Sequence, residues 1–254
     1  MIALIDMDLV CYRCAASAEN DDFAIAVYRM NELLDTILAS TDATEYKAFL
    51  TGDNNFRKEI YKEYKANRTQ ERPKHLLAAR HYAIKEFNAE AEEALEADDL
   101  LGINQTSDTI ICSLDKDLLQ VPGNHYRWAF GTTKYQKDAE FIHQTELGGL
   151  RMFYEQCLKG DRSDNVKGIA GLGDAKAKKI LQGMTTEQQM FDKVRELYNN
   201  DDEFLLNAQC LWILRHDRES FKDRFDRLSA WPENRMDDIG SNGNIGYTDA
   251  NIQE

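Results

Sequence analysis

The chain opens on a short apolar run, Ile2-Ala3-Leu4-Ile5, that stops at Asp6. A run of this length bounded by an acid predicts a buried strand, not a signal peptide or a membrane span. Apolar residues at Ile25, Tyr28, Leu33, Leu34, Ile37 and Leu38 then predict a helix reaching Leu38. Tyr46 to Thr51 reads as a second strand, ending at Gly52-Asp53. The stretch from 54 to 90 is polar and basic, broken once by Pro73, and its Phe56, Ile60, Tyr64 spacing predicts a helix with few core contacts that stands out in solvent. Glu96-Ala97-Asp98-Asp99 opens another helix, and Thr109 to Leu114 is a strand that delivers Asp115-Lys116-Asp117 at its carboxyl end. A strand over His125 to Phe130 and helices over Thr145 to Lys159, Glu187 to Leu197 and Phe204 to Leu214 complete the pattern. Strands alternating with helices predict an α/β fold with a central, mainly parallel sheet flanked by helices.

Composition narrows this to one sizeable domain, residues 1–232. The chain has 254 residues and 43% hydrophobic content, enough to bury roughly 70 to 75% of its unfolded surface. From Glu233 to Glu254 the sequence is rich in Asn, Gly and Asp, with five acids and one arginine, and reads as an acidic, disordered tail. Five cysteines, an odd number, and the lack of a secretory pattern predict reduced thiols and a cytoplasmic protein without a membrane partner. Cys11-Tyr12-Arg13-Cys14 has metal-ligand spacing but no second such pair, so packing explains it better.

A net charge of −14 argues against a polyanionic partner if taken as one number. Its distribution argues otherwise. Between Arg57 and Lys85 nine basic residues face three acids, a patch that dominates locally because charges farther off than a Debye length of about 8 Å are screened.

Carboxylates recur at the ends of the predicted elements: Asp6 with Asp8, Asp53, Glu96 with Asp98 and Asp99, Asp115 with Asp117, and Asp161 with Asp164. Five sets are too many for helix capping alone. In extended chain, residues i and i+2 share a face, so Asp6/Asp8 and Asp115/Asp117 are each expected to aim at one point. Crowded carboxylates repel, and an all-oxygen donor set suits two Mg²⁺ or Mn²⁺ ions better than zinc. Two such ions about 3.5 to 4 Å apart form a clamp for phosphodiester hydrolysis. Asp21, Asp22, Asp201 and Asp202 lack this setting and read as helix-start acids. His75, His81, His125, His143 and His216 form no ligand cluster, and Trp128 and Trp212 read as packing residues.

The run Gly160-Asp161-Arg162-Ser163-Asp164-Asn165 leads into Gly168-Ile169-Ala170-Gly171-Leu172-Gly173 and then a helix bearing Lys176 and Lys179. Metal-binding acids are thus followed by a glycine hairpin and a basic helix, a combination suited to phosphates.

In order and spacing these motifs, with Tyr12-Arg13 and Tyr64-Lys65-Ala66-Asn67-Arg68, resemble the 5′ nucleases. That family includes flap endonucleases, the 5′-nuclease domain of bacterial DNA polymerase I and phage 5′→3′ exonucleases, the T-odd podovirus type being most similar. The resemblance implies a PIN-like fold with a helical arch near 54–90 and a helix-hairpin-helix near 160–182. It places Asp6, Asp53, Glu96 and Asp98 around a first metal, and Asp99, Asp115, Asp117, Asp161 and Asp164 around a second. Lys65 and Arg68, at i and i+3 of the expected helix, would contact the scissile phosphate, and Tyr64 would stack on the terminal base. Arg13, Gly168, Gly171, Gly173, Lys176 and Lys179 would contact duplex, with K⁺ held by hairpin carbonyls. The role of Asp8 stays open. The implied activity is 5′→3′ exonuclease action on duplex or 5′-flapped DNA and on RNA-DNA hybrids in phage replication and recombination, by a monomer working with a polymerase or single-strand binding protein. The alternatives are a structure-specific flap endonuclease and an inert DNA-end binding module.

Overall fold

The computed structural model describes residues 1–132 and 135–230; the expected tail from Glu233 lies outside them. Strand β1 (Ile2–Asp6) leads into α1 (Met7–Ser17), α2 (Phe23–Thr41) and β2 (Glu45–Thr51). The basic region holds α3 (Phe56–Ile60) and α4 (Leu76–Glu86), followed by β3 (Glu90–Glu92), α5 (Ala97–Asn104) and β4 (Thr109–Cys112). A 3₁₀ turn (Asp117–Gln120) precedes β5 (Gly123–Arg127), the hairpin β6 (Phe130–Thr132) and β7 (Tyr135–Lys137), then β8 (Glu140–Gln144) and α6 (Glu146–Lys159). A two-residue ladder, β9 (Gly160–Asp161) with β10 (Val166–Lys167), introduces α7 (Asp174–Leu181), α8 (Glu187–Tyr198), α9 (Asp201–Leu211) and α10 (Phe221–Ser229).

The main sheet has the order β3-β2-β1-β4-β5-β8, parallel except for β8, which pairs antiparallel with β5. The chain winds from β1 out to β2 and β3, then returns to β4 on the other side. The order therefore reverses between β1 and β4, and their carboxyl tips flank the crevice where α/β proteins place sites. Ala3, Ile5, Ala48, Leu50, Ile110 and Cys112 face α1, α2 and α4, while Leu4, Phe49 and Ile111 face α5 and Ile213. Alternate residues of each strand thus feed two cores, as a sheet covered on both faces requires. A third core, built from α6 to α10, is dominated by interlocked rings of Phe153, Trp212, Phe221, Phe204, Phe191 and Phe225.

The long first helix expected from the sequence is two helices, because Asp22 caps a new start through its bond from Ala24 N. Its apolar markers Ile25 and Tyr28 are exposed, and Ala26, Met30, Leu34 and Ile37 form the buried stripe instead. Asp201 and Asp202 lie in the first turn of α9. Strand β8 and helix α10 escaped the sequence reading: β8 is an exposed edge, and α10 is short and charged between its buried Phe221, Phe225 and Leu228. All five cysteines are free and buried, Trp128 and Trp212 are core residues, and among the described residues no helix is long and apolar enough to cross a membrane.

Candidate active site at the carboxyl edge of the sheet

Asp6 ends β1 and caps α1: its Oδ1 accepts from Leu9 N at 3.0 Å and its Oδ2 from Ser113 Oγ, just past β4, at 2.6 Å. Burial raises its pKa to about 6, held down partly by Ser113 and Leu9, with Asp115 adding repulsion. Asp98, in the first turn of α5, is raised well above the carboxylate range by burial and by the neighbouring charges of Asp115, Asp6 and Glu96. Four acids from β1, α5 and the loop after β4 therefore crowd one crevice.

Glu96 joins that cluster to the basic region. Its carboxylate accepts from Lys65 Nζ and, at 2.9 Å, from the Tyr64 hydroxyl, and lies 3.5 Å from the Arg57 guanidinium. Burial opposes its ionisation, but Lys65 and Arg57 outweigh that and hold its pKa below the usual range. Asp164 takes the other side of the same contacts, 2.8 Å from the Tyr64 hydroxyl, 3.7 Å from Lys65 Nζ and 2.7 Å from Arg68.

The remaining acids lie nearby. Asp115 Oδ1 accepts from Asp117 N at 2.8 Å, so this pair sits in a tight turn, not in the extended segment expected. Burial, Asp115 and a hydrogen bond with Asp161 raise Asp117 to about 7. Asp161 moves the other way: burial is outweighed by hydrogen bonds from Ser163 and Asp117.

Two expected ligands, Asp99 and Asp53, behave differently, and Asp8, whose role stayed open, is tied elsewhere. Asp99, fully buried, forms a two-pronged ion pair with Arg57 at 2.6 and 2.7 Å and also accepts from Glu96 N and Leu214 N. Every lone pair is engaged, so Asp99 is a structural anion, not a metal ligand. Asp8 does not aim with Asp6, because the chain turns helical at Met7; it binds Thr51 N at 2.8 Å and pairs with Arg80, which settles its role as a tie between α1, β2 and α4. The Asp53 carboxylate is exposed and makes no hydrogen bond or ion pair among the described residues.

The basic region is also corrected. Helix α3 stops at Ile60, and Lys65 has φ of 57°, so Lys65 and Arg68 lie on a turn and converge through Asp164 without helical spacing. Lys62, Glu63, Ala66, Asn67 and Arg68 of this turn are exposed, while Tyr64 and Lys65 dock it inward. Tyr64 is only 2% exposed and packs into the third core, which removes it as a stacking platform in this conformation. Arg57, which the sequence shows only as one more basic residue, spends its remaining hydrogens on the carbonyls of Cys210 and Trp212. A lone buried arginine has no sequence signature until its partner Asp99 is located.

Of the hairpin glycines, only Gly171 has positive φ, at 79°. Gly168 is needed for packing: a Cβ there would lie 2.2 Å from Gly160 N. Gly173 is extended, with open space where a side chain would be, and precedes α7. Lys176 and Lys179 line one depression with Leu172 and Ile180, and Lys176 Nζ donates to the Gly171 carbonyl at 2.9 Å. Arg13 lies over the Phe130 ring, 5.5 Å from its centre.

The donor set suits a hard divalent cation, since it is all oxygen, partly buried and self-repelling. In this conformation no three acidic, His or Cys side chains among the described residues converge into a ready cage. The chain's own Lys65, Arg57 and Arg68 balance part of the charge instead.

A parallel α/β sheet with an acidic crevice at its switch point, overhung by basic side chains, defines a phosphoester-cleaving class of protein. The chain matches the 5′-3′ exonuclease N-terminal resolvase-like domain over residues 1–147, more than half its length, and belongs to the 5′-3′ exonuclease family of metal-dependent nucleases. It is 29% identical over 251 residues to DNA polymerase I of Bacillus caldotenax, covering 85% of this chain and 28% of the polymerase. The chain thus spans about a quarter of the curated relatives it matches first. Among solved structures, bacteriophage T5 5′-exonuclease with divalent metal ions (zinc) bound superposes with a TM-score of 0.63 at 16% identity, covering 83% of this chain and 88% of that one. The T5 flap endonuclease in a complex with DNA and metal ions gives 0.55 at 14%, covering 90% and 97%.

Proposed function

We propose that this protein hydrolyses DNA phosphodiesters inward from a 5′ end or 5′ flap, releasing 5′-phosphorylated products. The observation that carries the reading is the meeting of Lys65 and Arg68 with Glu96 and Asp164 at the edge of the Asp6–Asp98–Asp115 cluster. Lys65 and Arg68, drawn off their carboxylates by a substrate phosphate, would hold the scissile group as cations hold phosphate elsewhere. Asp6, Glu96, Asp98 and Asp115 would hold one Mg²⁺ or Mn²⁺, and Asp117, Asp161 and Asp164 a second. Bound there, such ions would supply an activated water and neutralise charge developing on the phosphate and leaving oxygens. Asp53 would join only by moving inward. The hairpin of 168–173 with Lys176 and Lys179 would grip duplex backbone, and Arg13 would add a phosphate contact. We further propose activity on RNA-DNA hybrids and a role in phage replication alongside a polymerase, on resemblance alone.

The test is cleavage of duplex labelled at the 5′ or 3′ end, with and without a flap, in Mg²⁺ or EDTA. Short 5′-labelled products in Mg²⁺ only, and a loss of about 10³-fold or more in Asp98→Asn, support the reading. DNA binding without cleavage in Mg²⁺ or Mn²⁺ would sink it in favour of an inert end-binding module, while flapped duplex ranks exonuclease against endonuclease.

A further inference from the structure

The turn that carries Lys65 and Arg68 is bound to the loop that carries Asp161 and Asp164 by two asparagines to which the sequence assigns no task. Asn165 Nδ2 donates to the Glu63 carbonyl at 2.8 Å, and Asn67 Nδ2 donates to the Arg162 carbonyl at 2.6 Å. Each motif thus lends an amide to the other's backbone. Between them Lys65 N donates to the Asp164 carbonyl at 2.9 Å, and Arg68 Nε to the Ser163 carbonyl at 3.2 Å.

The two partners differ in stiffness. Residues 162–165 are closed at their base by the β9–β10 ladder, and Asp161 Oδ1 accepts from Ser163 N and Ser163 Oγ, both at 2.7 Å. The turn of 61–68 has no ladder and closes only through turn bonds, from Tyr64 N to the Tyr61 carbonyl, Ala66 N to the Glu63 carbonyl and Arg68 N to the Lys65 carbonyl, at 2.9, 3.1 and 3.2 Å. Its Lys65 holds a left-handed φ of 57°, unfavourable for a lysine and retained only where surroundings over-determine it. Tyr64, buried in the third core, fixes one end of the turn, and past Lys65 the docking rests on these polar bonds together with the Arg68–Asp164 ion pair at 2.7 Å.

We infer that Asn67 and Asn165 are positioning residues that clasp the Tyr64–Arg68 turn to the 161–165 loop, so that the loop, not the arch, sets where Lys65 and Arg68 stand over the acidic cluster. The inference rests on the reading that these two cations hold the scissile phosphate. The clasp lies at the surface, so its bonds contribute little to global stability. Its effect falls on placement, where an error of about 1 Å can reduce a rate on the order of 100-fold.

The experiment uses the full chain with Asn67→Ala, Asn165→Gly, which keeps the positive φ of 59° accessible, the double variant and Lys65→Ala. Steady-state cleavage of end-labelled duplex in Mg²⁺ and trypsin cleavage after Lys62, Lys65 and Arg68 in EDTA without DNA are both read. Each single variant is expected to lose about 10- to 100-fold in kcat with KM within roughly threefold. The double variant should fall little further than the worse single, because both remove one device. Trypsin should cut the turn on the order of tenfold faster, tracking the open population, while Tm moves by no more than about 3 °C. Unchanged trypsin rates, activity within about twofold of the parent, or a collapse of Tm in both singles would each overturn the clasp. If Lys65→Ala keeps full activity, the phosphate reading fails, while the trypsin rates still decide the clasp.

Discussion

The two halves of the acidic site are built on different principles. Asp6, Glu96 and Asp98 stand at the ends of regular elements, where a strand tip or a helix start fixes the backbone; burial governs ionisation of Asp6 and Asp98, and Lys65 and Arg57 override it at Glu96. Asp161 and Asp164 stand on a short loop, where hydrogen bonds from Ser163, Tyr64 and Arg68 fix the side chains. In the first half the fold imposes charge crowding and offsets it with protons and the Arg57 and Lys65 cations. In the second, local hydrogen bonding does the placing and crowding is milder. Buried charge makes a site responsive to pH and to cations, whereas a hydrogen-bonded loop makes it responsive to geometry.

The largest break in that contrast comes from Arg57, which ties α3 to Asp99 and to the carbonyls of Cys210 and Trp212. Arg57→Met leaves Asp99 charged and buried, and should lower the unfolding free energy by about 3 to 5 kcal/mol in urea titrations. Arg57→Met with Asp99→Leu should recover part of that loss, since the unpaired charge is gone.

A middle-sized effect sharpens the electrostatic side. Asp6 and Asp117 have pKa values raised from 3.8 to about 6 and about 7, so the folded protein binds more protons than the unfolded chain across that window. Stability in EDTA should therefore fall as pH rises from about 4 to 7, by several kcal/mol at most, and Asp98, raised further still, carries the fall to higher pH. Glu96 and Asp161, shifted downward, lose their stabilising contribution only at lower pH. Thermal melts across this range check the sign, and saturating Mg²⁺ should flatten the slope by binding the ionised form. Melts that rise with pH in EDTA would contradict the crowded-acid account.

The smallest effect belongs to the loop. Ser163→Ala removes the hydroxyl bond to Asp161 but leaves the Ser163 N–H bond, so stability should fall by only about 0.5 to 1.5 kcal/mol. Equal losses for Ser163→Ala and Arg57→Met would erase the distinction between the two halves.

Much of the site was legible before the structure, and the failures share a cause. Strand β1 ending at Asp6, strand β4 before Asp115 and the helix opening at Glu96 follow from apolar runs stopping at acids. Those elements bring Asp6, Glu96, Asp98 and Asp115 together without further information. Asp99 was misassigned because its fate depends on Arg57, 42 positions away, and Leu214, 115 positions away. Tyr64 takes a base-stacking role only by resemblance, and its ring sits in a core made by helices from residue 146 onward, which nothing near it in the chain announces.

The sequence by itself determined the order of elements, the parallel character of the sheet and the acid-tipped crevice, because periodicity and chain-local motifs encode them. Only the tertiary structure decided which acids stay ionised, which are tied to arginines, and that the Lys65 turn is docked against Asp164. Those outcomes depend on desolvation and on partners distant in the chain, quantities that no local pattern of residues carries.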